Sequence, residues 1–166
     1  MARARHTPQT WIDAGLKSLT RIGPDGLRAE TLARELGTTK GSFYWHFKDV
    51  PAFQSAALRH WSETTKARYA AALQSGETSA QQLRTLGQVK PRAPDLAVRA
   101  WAVHDPGARR VVAKLDKWVL AEISARLTQL DATHPDFPGL IHAAMMASPA
   151  KGQHAETLID MLLMLK

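Results

Sequence analysis

Apolar residues recur along this chain at steps of three and four, the spacing that places them on one face of an α-helix. Ile12, Leu16, Leu19 and Ile22 make the first such stripe. Thr7-Pro8 precedes it, a hydroxyl suited to an N-cap followed by the residue whose fixed φ fits the first helical position. Gly23-Pro24-Asp25-Gly26 then ends the helix. A short helix over residues 28–36 turns Leu32, Ala33 and Leu36 inward and stops at Gly37. Thr38-Thr39 caps another through His46, with Phe43 and Phe47 four apart on one face. The next stripe, Phe53, Ala57, Trp61, Thr65, Arg68/Tyr69 and Ala72/Leu73, predicts a long helix from Val50 to Gln74, broken by Ser75-Gly76. Shorter helices follow at 78–89 and 94–104. Asp105-Pro106-Gly107 opens a strongly amphipathic helix through Val111, Leu115, Trp118/Val119, Ile123, Leu127 and Leu130. The segment from His134 to Gly139 interrupts again, and two last helices run over 138–147 and 154–166, split by Ser148-Pro149-Ala150-Lys151-Gly152. No alternating strand pattern or repeat competes. The expectation is an all-α protein of about nine helices, dividing at the start of the long helix into residues 1–50 and 51–166.

Composition narrows the functional classes. The chain of 166 residues has no cysteine, which excludes disulfide frameworks, thiolate metal sites and cysteine nucleophiles. No apolar run reaches the length of a membrane span, and the basic start, Met1 to His6, lacks the apolar stretch of a signal peptide, so a soluble cytoplasmic protein is expected. The seven histidines bring no His-x-x-x-His or Glu-x-x-His spacing, and His60, His104, His134, His142 and His154 are scattered over separate segments. An enzyme, a metal site and a cofactor are therefore not expected. Net charge is +7, and an isoelectric point of about 10.1 invites a polyanionic partner. Residues 1–50 hold eight Lys/Arg against five Asp/Glu, a higher excess per residue than the rest of the chain.

The informative stretch is Leu32-Ala33-Arg34-Glu35-Leu36-Gly37-Thr38-Thr39-Lys40-Gly41-Ser42-Phe43-Tyr44-Trp45-His46-Phe47-Lys48-Asp49. Two short helices joined by a glycine turn read as a helix-turn-helix, whose second helix can enter the DNA major groove. An ordinary helical hairpin with an aromatic core is the plainer alternative. The first turn of the second helix offers Thr38, Thr39, Lys40, Gly41 and Ser42: hydroxyls, a cation and a glycine that permits close approach. Tyr44 and Trp45 are adjacent and cannot both bury with Phe43 and Phe47 on the core side, so at least one of them is expected to be exposed.

From Thr7 to Leu58, and above all in Thr39-Lys40-Gly41-Ser42-Phe43-Tyr44-Trp45-His46-Phe47, the chain resembles the DNA-binding domain of the TetR family of transcriptional regulators. Arg28 departs from that pattern, standing where many members carry a capping Ser or Thr. The resemblance implies a homodimeric regulator on a pseudo-palindromic operator, most simply a ligand-responsive repressor. A regulator without an effector, or an activator, is the alternative. It further implies that Thr39, Lys40, Tyr44, His46 and Lys48 mainly hold phosphates and that Thr38, Ser42 and Trp45 meet base edges. Arg28, unable to cap, is instead expected to reach the phosphate backbone, and the Arg3–Arg5 arm to add minor-groove or backbone contacts, solvated arginines being the plainer alternative. Gly41 belongs to the same surface.

Residues 51–166 then correspond to a ligand-binding and dimerisation domain. Trp61, Trp101 and Trp118 lie on core stripes of three helices, with His104 near Trp101, and together with Met145 they are candidate pocket residues for an unknown small-molecule effector. The last helix is apolar around most of its girth, which points to a second copy as partner, a C-terminal helix buried within one monomer being the alternative. Ile141, Ala144, Met145, Leu158, Leu162 and Leu165 are the candidate dimer residues.

Overall fold

The computed structural model describes residues 6–147 and 154–164. Among them the chain forms nine α-helices and one 3-10 turn, with no strand. Helix α1 (Pro8–Ile22) begins as expected, Thr7 accepting from the Thr10 N–H at 3.2 Å with Pro8 in the first turn. Its buried face differs from the expected one. Trp11, Ile12, Gly15, Ser18 and Leu19 point inward, while Leu16 is only half-buried and Ile22 is 45% exposed. Two of the inward residues are small or polar, so an apolar stripe alone could not reveal that face.

The segment Gly23-Pro24-Asp25-Gly26 is more than a break. Gly23–Leu27 winds into a 3-10 turn that buries Gly26 and Leu27. A Cβ on Gly26 would lie 2.5 Å from Ser18 Oγ and 2.7 Å from the Ser18 carbonyl carbon and oxygen. The turn thus packs directly on the backbone of α1, and only glycine fits there. Helix α2 (Ala29–Glu35) follows without a side-chain cap, because Arg28 stands at its N-cap and supplies no acceptor. It ends at Gly37, whose φ of +60° suits a residue lacking Cβ. Helix α3 (Lys40–Tyr44) is shorter than expected, with Trp45 and His46 already beyond its end.

Helix α4 (Val50–Gln74) follows its expected stripe closely: Phe53, Ala57, Trp61, Thr65, Tyr69 and Leu73 are all buried. The remaining helices are α5 (Ser79–Gly87), α6 (Ala93–Ala102), α7 (Pro106–Gln129), α8 (Phe137–Met146) and α9 (His154–Met164). Thr78 and Gln81 close a reciprocal capping box at the start of α5. The expected break at Ser148–Gly152, the Arg3–Arg5 arm and Leu165 lie outside the described residues.

The chain forms two compact units: Met1–Glu63 with Ala93–Val112, and Thr64–Arg92 with Ala113–Lys166. The expected boundary after residue 50 falls inside the first. Helix α6 packs against α1, which carries residues 93–112 into the N-terminal unit. The second unit has its own core, built from Tyr69 and Leu73 of α4, Leu83 and Leu86 of α5, Val119, Ile123 and Leu127 of α7, Ile141 and Met145 of α8, and Ile159 and Leu162 of α9. Arg84 Nε reaches Asp160 Oδ1 at 2.6 Å and Gln88 Nε2 reaches Glu156 Oε1 at 3.0 Å, tying α5 to α9 at the edge of that core.

Candidate nucleic-acid interface

Helix α3 has five residues, too few to hold itself together in water. Its order comes from Phe43, its one buried residue. The Phe43 ring sits 5.4 Å from Trp11 of α1, 5.3 Å from Phe47 and 5.3 Å from Phe53 of α4, centroid to centroid, with edge-to-face or tilted geometry. Phe47 and Phe53 are themselves 5.0 Å apart. This aromatic cluster joins three helices and fixes which face of α3 turns outward.

What it turns outward is the set expected from the sequence. Thr39 is the N-cap of α3, its hydroxyl accepting from the Ser42 N–H at 3.3 Å. Thr38 is held in the turn by donation of its N–H to the Ala33 carbonyl at 2.9 Å. Lys40 and Gly41 are exposed in the first turn of α3 and Ser42 is half-buried behind them. Tyr44 is partly exposed, its ring resting edge-on against Phe43 at 5.2 Å. Trp45 is 84% exposed, the largest apolar side chain the first unit leaves open. His46 and Lys48 are exposed beyond it, and Arg28 is exposed at the start of α2. The pattern therefore places Thr38, Thr39, Lys40, Gly41, Ser42, Tyr44, Trp45, His46 and Lys48 in one continuous segment of which Phe43 and Phe47 take the inner side.

Several polar contacts here have no local signal in the sequence. His6 Nε2 lies 3.1 Å from the Leu36 carbonyl, tying the entry of α1 to the end of α2. Glu35 receives the Ser18 hydroxyl at 3.1 Å and pairs with Arg21. Arg28 pairs with Asp25 at 2.8 Å. Glu30 of α2 pairs with Lys40 of α3. The hydrogen bond from Lys40 holds the Glu30 carboxyl below the usual carboxylate range, and the same bond pushes the Lys40 ammonium up.

The candidate effector residues divide between the units. Trp61, Trp101 and His104 belong to the first, Trp118 and Met145 to the second. Trp61 donates from Nε1 to Oδ1 of the buried Asp95 at 2.9 Å, a contact made across 34 positions that the sequence did not announce. Trp101 is buried and its carbonyl accepts from the His104 N–H at 3.1 Å, while His104 itself is exposed. Lys66 Nζ stands 4.8 Å from the centre of the Trp118 ring, within cation–π range. Of the candidate dimer residues, Ile141, Met145 and Leu162 are buried in the second unit's own core, and Ala144 and Leu158 are half-buried against it. The large apolar side chains that α8 and α9 leave exposed are Leu140, Met161 and Met164. Among the described residues no group of three His, Asp or Glu is placed to hold a metal ion, and no helix is long and apolar enough to cross a membrane.

Comparison with known proteins agrees with this geometry. Residues 12–49 match the model of the bacterial regulatory proteins of the tetR family. Over 49 residues the chain is 41% identical to the tetracycline repressor protein class A from transposon 1721 of Escherichia coli, a match covering 30% of this chain and 23% of that protein. In fold it is similar to a transcriptional regulator from Rhodococcus sp. Rha1, with a TM-score of 0.71 at 20% identity over 96% of this chain and 95% of that one. It is also similar to the multidrug binding protein EbrR solved with malachite green, with a TM-score of 0.67 at 25% identity over 95% and 98% of the two chains. The family match thus spans the helix-turn-helix, residues 12–49, and the likeness along nearly the whole chain is one of fold.

Proposed function

We propose that this protein is a cytoplasmic, non-enzymatic regulator of transcription that binds double-stranded DNA as a homodimer and releases it when a small molecule binds. The observation that carries the reading is the outward face of α3 and the turn after it: hydroxyls, cations and two aromatics presented by a helix pinned from behind by Phe43. In this reading Arg28, Thr39, Lys40, Tyr44, His46 and Lys48 contact phosphates, and Thr38, Ser42 and Trp45 meet base edges across the approach that Gly41 permits. Two copies present their α3 helices about 34–36 Å apart, one turn of DNA, and read a pseudo-palindrome. Residues 1–50 do the reading and 51–166 carry the effector and dimer surfaces. The exposed Leu140, Met161 and Met164 support dimerisation through α8 and α9. The malachite green complex of EbrR supports a small-molecule effector; Trp61, Trp101 and His104 in the first unit and Trp118 and Met145 in the second remain the candidate contacts. An effector that prefers the non-binding arrangement by about 1–3 kcal/mol weakens DNA binding 5–150-fold, and repression is relieved.

Fluorescence anisotropy tests this with DNA from the region upstream of the protein's own gene, a scrambled duplex and a Tyr44→Ala variant, at two salt concentrations. Salt-sensitive binding that prefers the native duplex and falls in the variant is expected. Equal weak binding to both duplexes would leave a non-specific binder, and no binding to any duplex would overturn the reading.

A further inference from the structure

Glu30 is the one anion among the groups that face the expected DNA surface from the first turns of α2 and α3, and it is not idle there. Its carboxylate pairs with Nζ of Lys40, a residue ten positions away on the recognition helix, with both side chains about half exposed, 56% and 52%. Arg28 on the same side is likewise paired, with Asp25 at 2.8 Å. Of the three described Lys or Arg side chains assigned to DNA, two therefore already have carboxylate partners within the fold, and for Lys48 there is no ion pair among the described residues. A surface built only to grip phosphate has no use for these anions.

Resting on the DNA-binding reading above, we propose that Glu30 is an internal counter-ion that competes with DNA phosphate for Lys40 and thereby limits sequence-independent affinity. A phosphate arriving at Lys40 must either displace the carboxylate or meet a pair of zero net charge. In either case the gain from neutralising that phosphate is reduced. Each phosphate neutralised contributes about 0.9 to the slope of log affinity against log salt, which at roughly 0.15 M salt is worth about fivefold in binding. The hydrogen bond between the two groups stabilises both in their charged forms. The competition therefore persists at neutral pH. Its use to a switch is direct: affinity drawn from phosphates is insensitive to sequence, and restraining it keeps release within reach of a modest effector.

The experiment is salt-dependent anisotropy of the full chain and its Glu30→Gln, Lys40→Ala and double variants on a scrambled duplex and on upstream DNA. Both positions are half exposed, and circular dichroism verifies that each variant is folded. Glu30→Gln is expected to tighten binding to the scrambled duplex about fivefold near 0.15 M salt and to steepen the salt slope by about 0.9. In the Lys40→Ala background the same change should leave the slope where it was. Salt-sensitive wild-type binding that Glu30→Gln leaves unchanged or weakens would overturn this inference alone. A gain that persists undiminished without Lys40 would do so too, because Glu30 would then act as a general repulsive charge. Absence of binding by the wild-type chain to every duplex would overturn both this inference and the function it rests on.

Discussion

Phe43 and Trp45 stand two positions apart in the recognition segment and should respond to truncation in opposite ways. Phe43 is fully buried, its ring within 5.4 Å of the Trp11, Tyr44, Phe47 and Phe53 rings, whereas Trp45 is 84% exposed. Phe43→Ala removes a ring from a packed aromatic cluster and leaves a cavity, a change that costs about 3–5 kcal/mol. For a chain of this size each kcal/mol lowers Tm by roughly 2–4 °C, so a fall of about 6–20 °C is expected. Trp45→Ala removes a larger side chain from water and should stay within about 0.5 kcal/mol of the parent. Phe43→Leu retains much of the volume and should fall between them, which keeps the comparison open if the alanine variant fails to fold. Far-UV circular dichroism on heating, paired with urea titration, measures all three. The same variants tested on DNA should separate cause from consequence: Trp45→Ala weakens binding while the fold is unchanged, and Phe43→Leu weakens it in proportion to lost order. If Phe43→Ala cost less than about 1 kcal/mol, or Trp45→Ala cost as much as Phe43→Ala, the assignment of inner and outer faces to α3 would be wrong.

Gly26→Ala should destabilise the protein by about 1–3 kcal/mol, because its new methyl would press on the backbone of Ser18, which has no freedom to retreat; a loss under about 0.5 kcal/mol in urea titration would refute that packing. The Glu30–Lys40 pair makes a prediction about pH. A carboxyl held below its ordinary value of 4.5 in the folded protein contributes fully above that value and loses its contribution as pH falls through the lower one. Lys40 is raised above 10.5 and stays charged throughout. The ratio of DNA affinities between Glu30→Gln and the parent should accordingly be flat from about pH 5.5 to 8.5 and close only in acid; a ratio that changes near neutrality would mean another group governs the pair.

How far the sequence could be read depended on how each helix is buried. Helix α4 announced itself, since Phe53, Ala57, Trp61, Tyr69 and Leu73 are apolar at helical spacing and all of them are buried. Helix α1 was misread by one position around its circumference. Its inner face uses Gly15 and Ser18, which carry little or no apolar signal, and Ile22 completes a stripe in the sequence but is exposed in the fold. The helix-turn-helix surface was legible because its residues are consecutive and its two inward phenylalanines fix the phase. Glu30–Lys40 and Trp61–Asp95 were not, because pairs ten and 34 positions apart on different helices are set by tertiary packing, which leaves no periodicity behind. The apolar girth of α9 was plain, but composition could not tell that Leu162 faces its own core while Met161 and Met164 face outward.

The brevity of α3 has a consequence for descent as well as for binding. Phe43 is the one buried residue of this helix, and Lys40, Gly41, Ser42 and Tyr44 lie wholly or partly at the surface with Trp45 beside them. Apart from the Thr39 cap and the Glu30–Lys40 pair, the atoms that hold the scaffold together and the atoms proposed to meet DNA are thus largely different. In the proposed reading, a copy of this protein that changes a few of these exposed side chains after a gene duplication acquires a new DNA target while its folding stability stays nearly as it was. The same separation lets an engineer rewrite the target by library selection at these positions, with Phe43 left alone.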